Sequence, residues 1–246
     1  YAGRTHDIIE CGDCLLGVEE NKDILDIIKG FMRVHGIRPY DETTHKGLVR
    51  HALIRKGFHS GEIMVCLVIN GKDIPLKEQL VEELCRIKGM TSISYSINQE
   101  KTNVIMGKET RCLWGQGYIT DYIGTVKYRI SPLSFYQVNP AQTEKLYGLA
   151  LEYAGLTGNE TVWDLYCGIG TIGIALSSHA KKVIGVELNP QAVKDAQTNA
   201  DLNHIKNIQF VNEDAGDFLV RYAEGGKADV VIMDPPRSGS TPEFLQ

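Results

Sequence analysis

The stretch that most constrains the fold is formed by residues 161–176. Its first five residues are mainly apolar and predict a short buried strand, glycines follow at positions 168, 170 and 173, and the apolar residues after them predict a helix. Gly168 and Gly170 permit a tight turn in which the backbone approaches a ligand at the start of that helix. The stretch therefore predicts a nucleotide-cofactor crevice, and its glycine spacing also fits a dinucleotide site.

Strands and helices alternate downstream of this stretch. The predicted elements are strands at 182–187, 208–212 and 228–234, with helices at 190–202 and 215–223. Such alternation is typical of a parallel sheet with helices on both faces. Residues 1–130 contain amphipathic helices and alternating strands, which indicate a smaller α+β domain. The sequence therefore predicts an α/β protein whose second domain, at 131–246, is Rossmann-like and incomplete at its C-terminus.

Three carboxylates follow the predicted strands of the second domain. Glu187 lies about twenty residues after the glycine turn, where a carboxylate can accept both hydroxyls of a ribose. Asp214 is placed to accept from an adenine amine. Asp234 begins the sequence Asp-Pro-Pro-Arg, a corner made rigid by its two prolines. Because such a corner offers a carboxylate and carbonyls to a planar nitrogenous ring, it favours a methyltransferase over the alternative, an NAD-dependent oxidoreductase.

A basic strip, residues 45–59, contrasts with the net charge of −5. It contains four lysines and arginines, three histidines and no acid, and its alternation predicts a strand. The basic residues are Lys46, Arg50, Arg55 and Lys56. They are either solvated on one face of a sheet or in contact with phosphate.

The six cysteines are scattered and do not form the disulfide framework of a secreted domain. This usage favours a reducing, cytoplasmic location, and no apolar run is long enough to span a membrane. Cys11 and Cys14 form a C-x-x-C pair, which is either an ordinary turn or half of a metal site. Cys167 is predicted to pack against the sheet rather than act as a nucleophile. The other cysteines are predicted to be core residues: Cys66, Cys85 and Cys112.

Four motifs in the second half carry a resemblance to a known family. They are Phe-Tyr-Gln-Val-Asn at 135–139, Asp-Leu-Tyr-Cys-Gly-Ile-Gly at 164–170, Gly-Val-Glu at 185–187 and Asp-Pro-Pro-Arg at 234–237. The first half adds residues 41–47, Arg50-His51, Arg55 and 113–115. Together these resemble the RNA uracil-C5-methyltransferases, most closely the bacterial 23S ribosomal RNA enzymes. The resemblance implies a Rossmann-like methyltransferase domain and a ribosomal RNA substrate, with transfer RNA as the alternative.

The resemblance also implies roles for particular residues. The family uses S-adenosyl-L-methionine, and its donor-binding positions match Gln137, Tyr166, Glu187 and Asp234, with the turn from Gly168 to Gly170 beneath the methionine part. Thr171 departs from the pattern, since some relatives have Asn there. The motifs of the first domain imply RNA contacts at Lys46, Arg50, His51 and Arg55.

The family's chemistry implies that part of the active site is missing. A cysteine thiolate adds to C6 of a flipped uracil, C5 takes the methyl group, and a base removes the C5 proton. In the family the nucleophile and the base follow the Asp-Pro-Pro-Arg corner. We therefore expect both beyond Gln246 and no catalytic residue or activity in residues 1–246 alone. Cys14 resembles the fourth ligand of a 4Fe-4S cluster, expected only in the intact protein, and no membrane or obligate protein partner is expected.

Overall fold

A computed structural model of the chain describes residues 17–223, 226–236 and 239. The chain divides into two units, one formed by residues up to 57 together with 61–119, the other by 58–60 together with 120 onward. Within the described ranges, no helix combines the length and the apolar character that crossing a bilayer requires.

The first unit is a four-stranded sheet with two helices. Its elements are α1 (Asn21–Val34), β1 (Val49–Lys56), β2 (Ile63–Ile69), α2 (Lys77–Leu84), β3 (Met90–Ile97) and β4 (Glu109–Gly115). The strand order is β1-β2-β3-β4, with β2 and β3 parallel and the outer pairs antiparallel. Ile24, Ile28, Leu80 and Leu84 of the helices pack with the sheet in one core. Every residue of β2 is buried, which explains its uninterrupted apolar run.

The prediction that three cysteines lie in the core is correct for Cys66 and wrong for Cys112. Cys66 is buried in β2 and Cys85 is half-buried, whereas Cys112 is exposed. Cys112 lies on β4, which pairs with β3 alone and has most of its residues exposed. Its thiol lies 3.4 Å from the carbonyl oxygen of Trp114. The apolar residues around Cys112 predicted burial, but an outer strand has a neighbour on one side only.

The second unit contains the parallel sheet that the sequence predicts. Its elements are β5 (Ile119–Ile123), β6 (Val126–Ile130), α3 (Pro140–Ala154), β7 (Thr161–Leu165), α4 (Thr171–Leu176), β8 (Lys182–Glu187), α5 (Pro190–Leu202), β9 (Ile208–Asn212), α6 (Ala215–Ala223) and β10 (Val230–Met233). The strand order is β10-β7-β8-β9 and all three pairings are parallel. The carboxyl ends of all four strands therefore lie at one edge of the sheet, where ligands bind in such folds.

An aromatic cluster attaches α6 to this sheet. The ring of Phe218 is fully buried, meets the ring of Trp163 edge-on at 5.1 Å and stacks on the ring of Tyr222 at 4.4 Å. Rings at these separations contribute beyond the area they bury. The cluster fixes the helix that follows Asp214.

The hairpin of β5 and β6 is held by the side chains of α5. The carboxamide of Asn199 accepts from the backbone N–H of Arg129 at 2.7 Å, and that of Asn203 accepts from Lys127 at 3.0 Å and donates to the Lys127 carbonyl at 2.6 Å. These bonds replace those of a neighbouring strand. The sequence predicted a domain boundary after residue 130. In the structure the hairpin groups with the second unit, because its hydrogen bonds lead to α5.

Candidate functional site

The turn between β7 and α4 forms the base of the site. The N–H of Cys167 donates to Val186 at 3.0 Å, and that of Gly170 donates back to Cys167 at 2.8 Å. Gly170 has φ +81°, and a Cβ there would lie 3.0 Å from the ring of Phe210. Gly168 has φ +55°, and a Cβ there would meet nothing within 4 Å. Gly170 is therefore favoured by its backbone conformation and by the nearby ring of Phe210, whereas Gly168 leaves its backbone open to a ligand.

Tyr166 opens this turn in a conformation that side chains rarely adopt. Its φ is +64°, in the left-handed region. A non-glycine residue there costs of order 1 kcal/mol, and such residues cluster at ligand sites. The ring of Tyr166 lines a cavity at the carboxyl edge of the sheet.

Four of the predicted cofactor-binding residues line this cavity. Its lining consists of Ile123, Phe135, Tyr136, Gln137, Tyr147, Tyr166, Cys167, Gly168, Ile169, Thr171, Ile172 and Asp234. Gln137, Tyr166, Gly168 and Asp234 come from three separate parts of the sequence. Gly170, Glu187 and Asp214 do not line it. The charged member of the lining is Asp234, and none of the described lining residues is a lysine or an arginine.

Glu187 contacts the turn through hydrogen bonds to backbone N–H groups. Its Oε2 accepts from Gly168 at 3.0 Å, and its Oε1 accepts from Asn189 at 2.7 Å. Each carboxylate oxygen has a second lone pair, so the group can still accept from a ribose hydroxyl. Asp214 is exposed and accepts from the N–H groups of Gly216 and Asp217 at the start of α6. Its contact with adenine stays a prediction.

Two tyrosines that the sequence analysis missed hold the start of α4. The hydroxyl of Tyr147 lies 2.9 Å from Oγ1 of Thr171, and that of Tyr128 donates to the Thr171 carbonyl at 2.9 Å. Burial raises the pKa of both phenols, so both stay protonated. Thr171 is the position that departs from the family pattern, and Tyr147 is its partner. No sequence signal separates Tyr147 from an ordinary core residue of an amphipathic helix.

Tyr136 contributes an unpaired polar group to the same wall. Its hydroxyl is buried and has no hydrogen-bond partner among the residues that the structure describes. Burial raises its pKa, so the phenol remains a donor. Phe135 beside it is 70% exposed. This segment therefore presents an exposed ring and a buried hydroxyl at the cavity.

Cys167 packs in the turn as predicted. The residue is buried, and a Cβ at Gly185 would lie 3.0 Å from its sulfur. Burial raises the pKa of the thiol well above its ordinary value, and the carboxylates of Asp164 and Glu187 raise it further. A thiol that stays protonated is a poor nucleophile, so Cys167 is a packing residue.

No metal centre is found among the described residues, since no three His, Cys, Asp or Glu side chains there cluster as ligands. Cys11 and Cys14 lie outside the described ranges. The cluster ligand at Cys14 stays a prediction.

Comparison with known proteins places these features in context. Residues 153–246 match the model of the TRM5/TYW2 methyltransferase domain. Over its whole length the chain is 47% identical to an uncharacterized RNA methyltransferase of Halalkalibacterium halodurans and 45% identical to one of Clostridium tetani. It covers 54% of each, so the chain spans about half the length of these curated relatives.

Solved structures decide the fold. The crystal structure of Pyrococcus abyssi tRNA (uracil-54, C5)-methyltransferase in complex with S-adenosyl-L-homocysteine is 26% identical, with a TM-score of 0.79. The match covers 97% of this chain and 57% of that one. The fold is that of the S-adenosylmethionine-dependent methyltransferases. The complex of aTrm5 with tRNALeu, at 17% identity and a TM-score of 0.50, shares the fold alone.

Arg50, in the first unit, uses its guanidinium for hydrogen bonds within the protein, whereas a phosphate-binding arginine was expected to have its donors free. It lies where the pairing register between β1 and β2 shifts. Its Nη1 donates to the carbonyls of Asn98 at 2.9 Å and Glu100 at 2.8 Å, and its Nη2 donates to Thr102 at 3.3 Å. The guanidinium also lies 4.4 Å from the centre of the Tyr40 ring. Arg50 therefore orders residues 98–102, and its RNA contact stays a prediction.

The other basic residues of the strip differ in exposure. Lys46 is exposed, whereas His51 and Arg55 are half-buried. Burial and the neighbouring Arg50 lower the pKa of His51, so its ring is neutral at neutral pH. Arg55 lies near the thiol of Cys66, and Lys56 pairs with Glu20 at 2.6 Å. Lys46 is thus the exposed member among these basic residues, and its contact with phosphate stays a prediction.

Proposed function

We propose that the protein transfers a methyl group from S-adenosyl-L-methionine to C5 of a uridine in RNA, giving 5-methyluridine. The observation that carries the proposal is the cavity that unites Gln137, Tyr166, Gly168 and Asp234 at the carboxyl edge of the parallel sheet. The resemblance of the sequence motifs to uracil-C5-methyltransferases supports it. The named activity of the Pyrococcus abyssi neighbour supports it as well.

The residues present fit this methyl donor. The donor carries a sulfonium, an ammonium and one carboxylate, and the described lining offers a carboxylate, Asp234, with no opposing lysine or arginine. Glu187 retains lone pairs for the ribose hydroxyls, and Gly168 leaves room above its backbone. The hydroxyl of Tyr136 and the carboxamide of Gln137 are further polar groups of the wall. The donor supplies an electrophilic methyl group when bound.

The reaction needs a nucleophile that we place outside this chain. Addition of a thiolate to C6 of uracil makes C5 nucleophilic, C5 takes the methyl group, and a base removes the C5 proton before the thiolate leaves. Cys167 is the cysteine of the cavity wall, and its raised pKa disqualifies it. We place the nucleophilic cysteine and the base beyond Gln246.

We propose ribosomal RNA, of the 23S class, as the substrate, on the resemblance of the motifs. Transfer RNA is the second candidate, favoured by the neighbour whose name specifies a tRNA uridine. A cytoplasmic location and a 4Fe-4S cluster that includes Cys14 accompany the proposal. The NAD-dependent alternative needs the glycine turn but has no use for the Asp234 corner.

Two measurements on the full-length protein test the function. Calorimetric titration should show binding of S-adenosyl-L-homocysteine and none of NAD; binding of NAD alone would refute the methyltransferase. RNA carrying tritium at C5 of uridine should then release tritium to water when the donor is added, because methylation replaces that hydrogen. Transcripts of 23S ribosomal RNA and of tRNA, assayed separately, identify the substrate. Methyl transfer without tritium release would place the methyl group on another atom.

RNA binding by the basic strip is tested by its dependence on salt. Lys46→Ala in the full-length protein should lower affinity for substrate RNA and reduce the slope of log K against log [salt] by about 0.7–0.9, since one phosphate contact is lost. Lys29→Ala, which removes an exposed charge on α1, is the control. An unchanged slope for Lys46→Ala would exclude a phosphate contact.

A further inference from the structure

Asp164 is a buried carboxylate that the proposed function leaves without a role. It is the fourth residue of β7 and is 0% exposed. Its Oδ2 accepts from the N–H of Gly173 at 2.8 Å. Its Oδ1 is buried and has no hydrogen-bond partner among the residues that the structure describes. A buried carboxylate with one hydrogen bond is costly to keep ionised, so this group is poised to hold a proton.

The chain makes room for this acid at the wall of the cavity. A Cβ at position 173, in α4, would lie 2.8 Å from Oδ2 of Asp164, so the glycine there leaves space for this carboxyl group. Tyr166, Cys167 and Gly168 follow Asp164 within four positions and line the cavity. Asp234 and Tyr147, which line the cavity, interact electrostatically with Asp164, so Asp164 lies near the cavity.

The ionisable groups around Asp164 are neutral or acidic. They are Tyr128 of β6, Tyr147 of α3, Cys167 of the turn, Glu187 at the end of β8 and Asp234 after β10. Burial raises the pKa of Asp164 to about 7, and the charges of Asp234 and Glu187 contribute to the rise, although the Gly173 N–H opposes it. No cation among the described residues offsets these charges at Asp164. Within the part of the chain that the structure describes, a bound cationic ligand would therefore be the first positive charge near this carboxyl group.

We propose that Asp164 determines the preference of the site for the cationic methyl donor over its neutral product, by giving up its proton when the sulfonium binds. The inference rests on the proposed function. Donor and product share the adenosine, the ammonium and the carboxylate, and differ by the methyl group and one positive charge. The ionised form of Asp164 attracts that charge, whereas the protonated form does not. The product, once formed, allows the carboxyl group to take up a proton again.

The sign of the pH dependence follows from this linkage. The free protein holds the proton below about pH 7, and the bound sulfonium lowers the pKa of Asp164, so donor binding releases a proton. Donor affinity relative to product affinity should therefore rise as the pH increases from 6 to 8. If the donor lowers the pKa by about one unit, the ratio rises roughly fivefold.

The test is calorimetric titration of the full-length protein with donor and with product, from pH 6 to pH 8. Using two buffers of different ionisation enthalpy gives the number of protons released. The natural protein should release more protons with the donor, and its affinity ratio should rise about three- to tenfold. In Asp164→Asn the ratio should be flat, because the amide oxygen still accepts from Gly173 but has no acidic proton. The ligands' own amino groups titrate equally with both proteins and cancel.

Asp229→Asn is the matched control variant, and different outcomes contradict the inference and the proposed function. Asp229 also accepts a backbone N–H, that of Thr161 at 2.7 Å, but at the opposite edge of the sheet. Asp229→Asn should keep the natural pH profile. Equal proton release for donor and product in the natural protein overturns the inference whether or not Asp164→Asn folds. An affinity ratio that still rises with pH in Asp164→Asn overturns it as well. Failure of the natural protein to bind either ligand would instead overturn the proposed function.

Discussion

Replacement of Glu187 by alanine should weaken binding of S-adenosyl-L-homocysteine about 30- to 150-fold, measured by calorimetry on the full-length protein. The carboxylate orients the N–H of Gly168 and that of Asn189, and it is proposed to accept from the ribose. Hydrogen bonds to a charged group contribute about 1.5–3 kcal/mol each, so losing the ribose bonds and the order of the turn costs roughly 2–3 kcal/mol of binding. Affinity within twofold of the natural value would contradict the ribose contact.

The chain offers a matched control for this substitution in Glu160. Its carboxylate accepts from the N–H groups of Thr157, Gly158 and Asn159, at the opposite edge of the sheet. The Thr157 hydroxyl, which donates to Oε1, and these N–H groups lower the pKa of Glu160 to about 2, so their contribution to stability is present at neutral pH and is lost as the pH falls towards 2. Glu160→Ala should loosen its own loop without changing ligand affinity. Equal weakening by both variants would mean that Glu187 acts through general stability.

Replacement of Asn199 by alanine should destabilise the second unit by about 3 kcal/mol. The side chain is fully buried, accepts from Arg129 at 2.7 Å and donates to the carbonyl of Ile169 in the glycine turn at 3.2 Å. Each buried polar group left unpaired costs about 1–3 kcal/mol. Hydrogen exchange of the full-length protein should show faster exchange at Arg129, whose N–H loses its acceptor.

Two neighbours on the same helix calibrate this effect. Gln197→Ala removes an exposed side chain and should change stability by less than about 0.5 kcal/mol. Asn203→Ala removes bonds to Lys127 at a half-buried position, where water replaces part of what is lost, so its effect should be intermediate. Unchanged exchange at Arg129 in Asn199→Ala would show that the hairpin is held by other contacts.

The sequence predicted the second unit well because its signals are local. Apolar strands alternate with helical patterns, so β8 and α5 begin and end where predicted. The first unit was harder. β4 lies at the edge of its sheet, which a linear pattern does not reveal.

The candidate site was predicted in part, because the family motifs mark the residues that face the cavity and not those that support them. Gln137 and Asp234 could be named in advance. The bonds from Tyr128 and Tyr147 to Thr171 connect residues 43 and 24 positions apart, respectively. Asn199 belongs to a helix whose polar residues are otherwise typical of a solvated face. The roles of these residues depend on tertiary packing, so spacing along the chain could not predict them.

The asparagines of α5 also constrain the order in which the chain can fold. The bonds from the β5–β6 hairpin to Asn199 and Asn203 join residues 70 and 76 positions apart. At a synthesis rate of roughly 5–20 residues per second, the helix leaves the ribosome about 4–15 s after the hairpin. The backbone groups of Lys127 and Arg129 that bond to these asparagines therefore stay hydrated until α5 packs against the hairpin. The hydrogen bond from Asn199 to the carbonyl of Ile169 in the glycine turn forms at the same step.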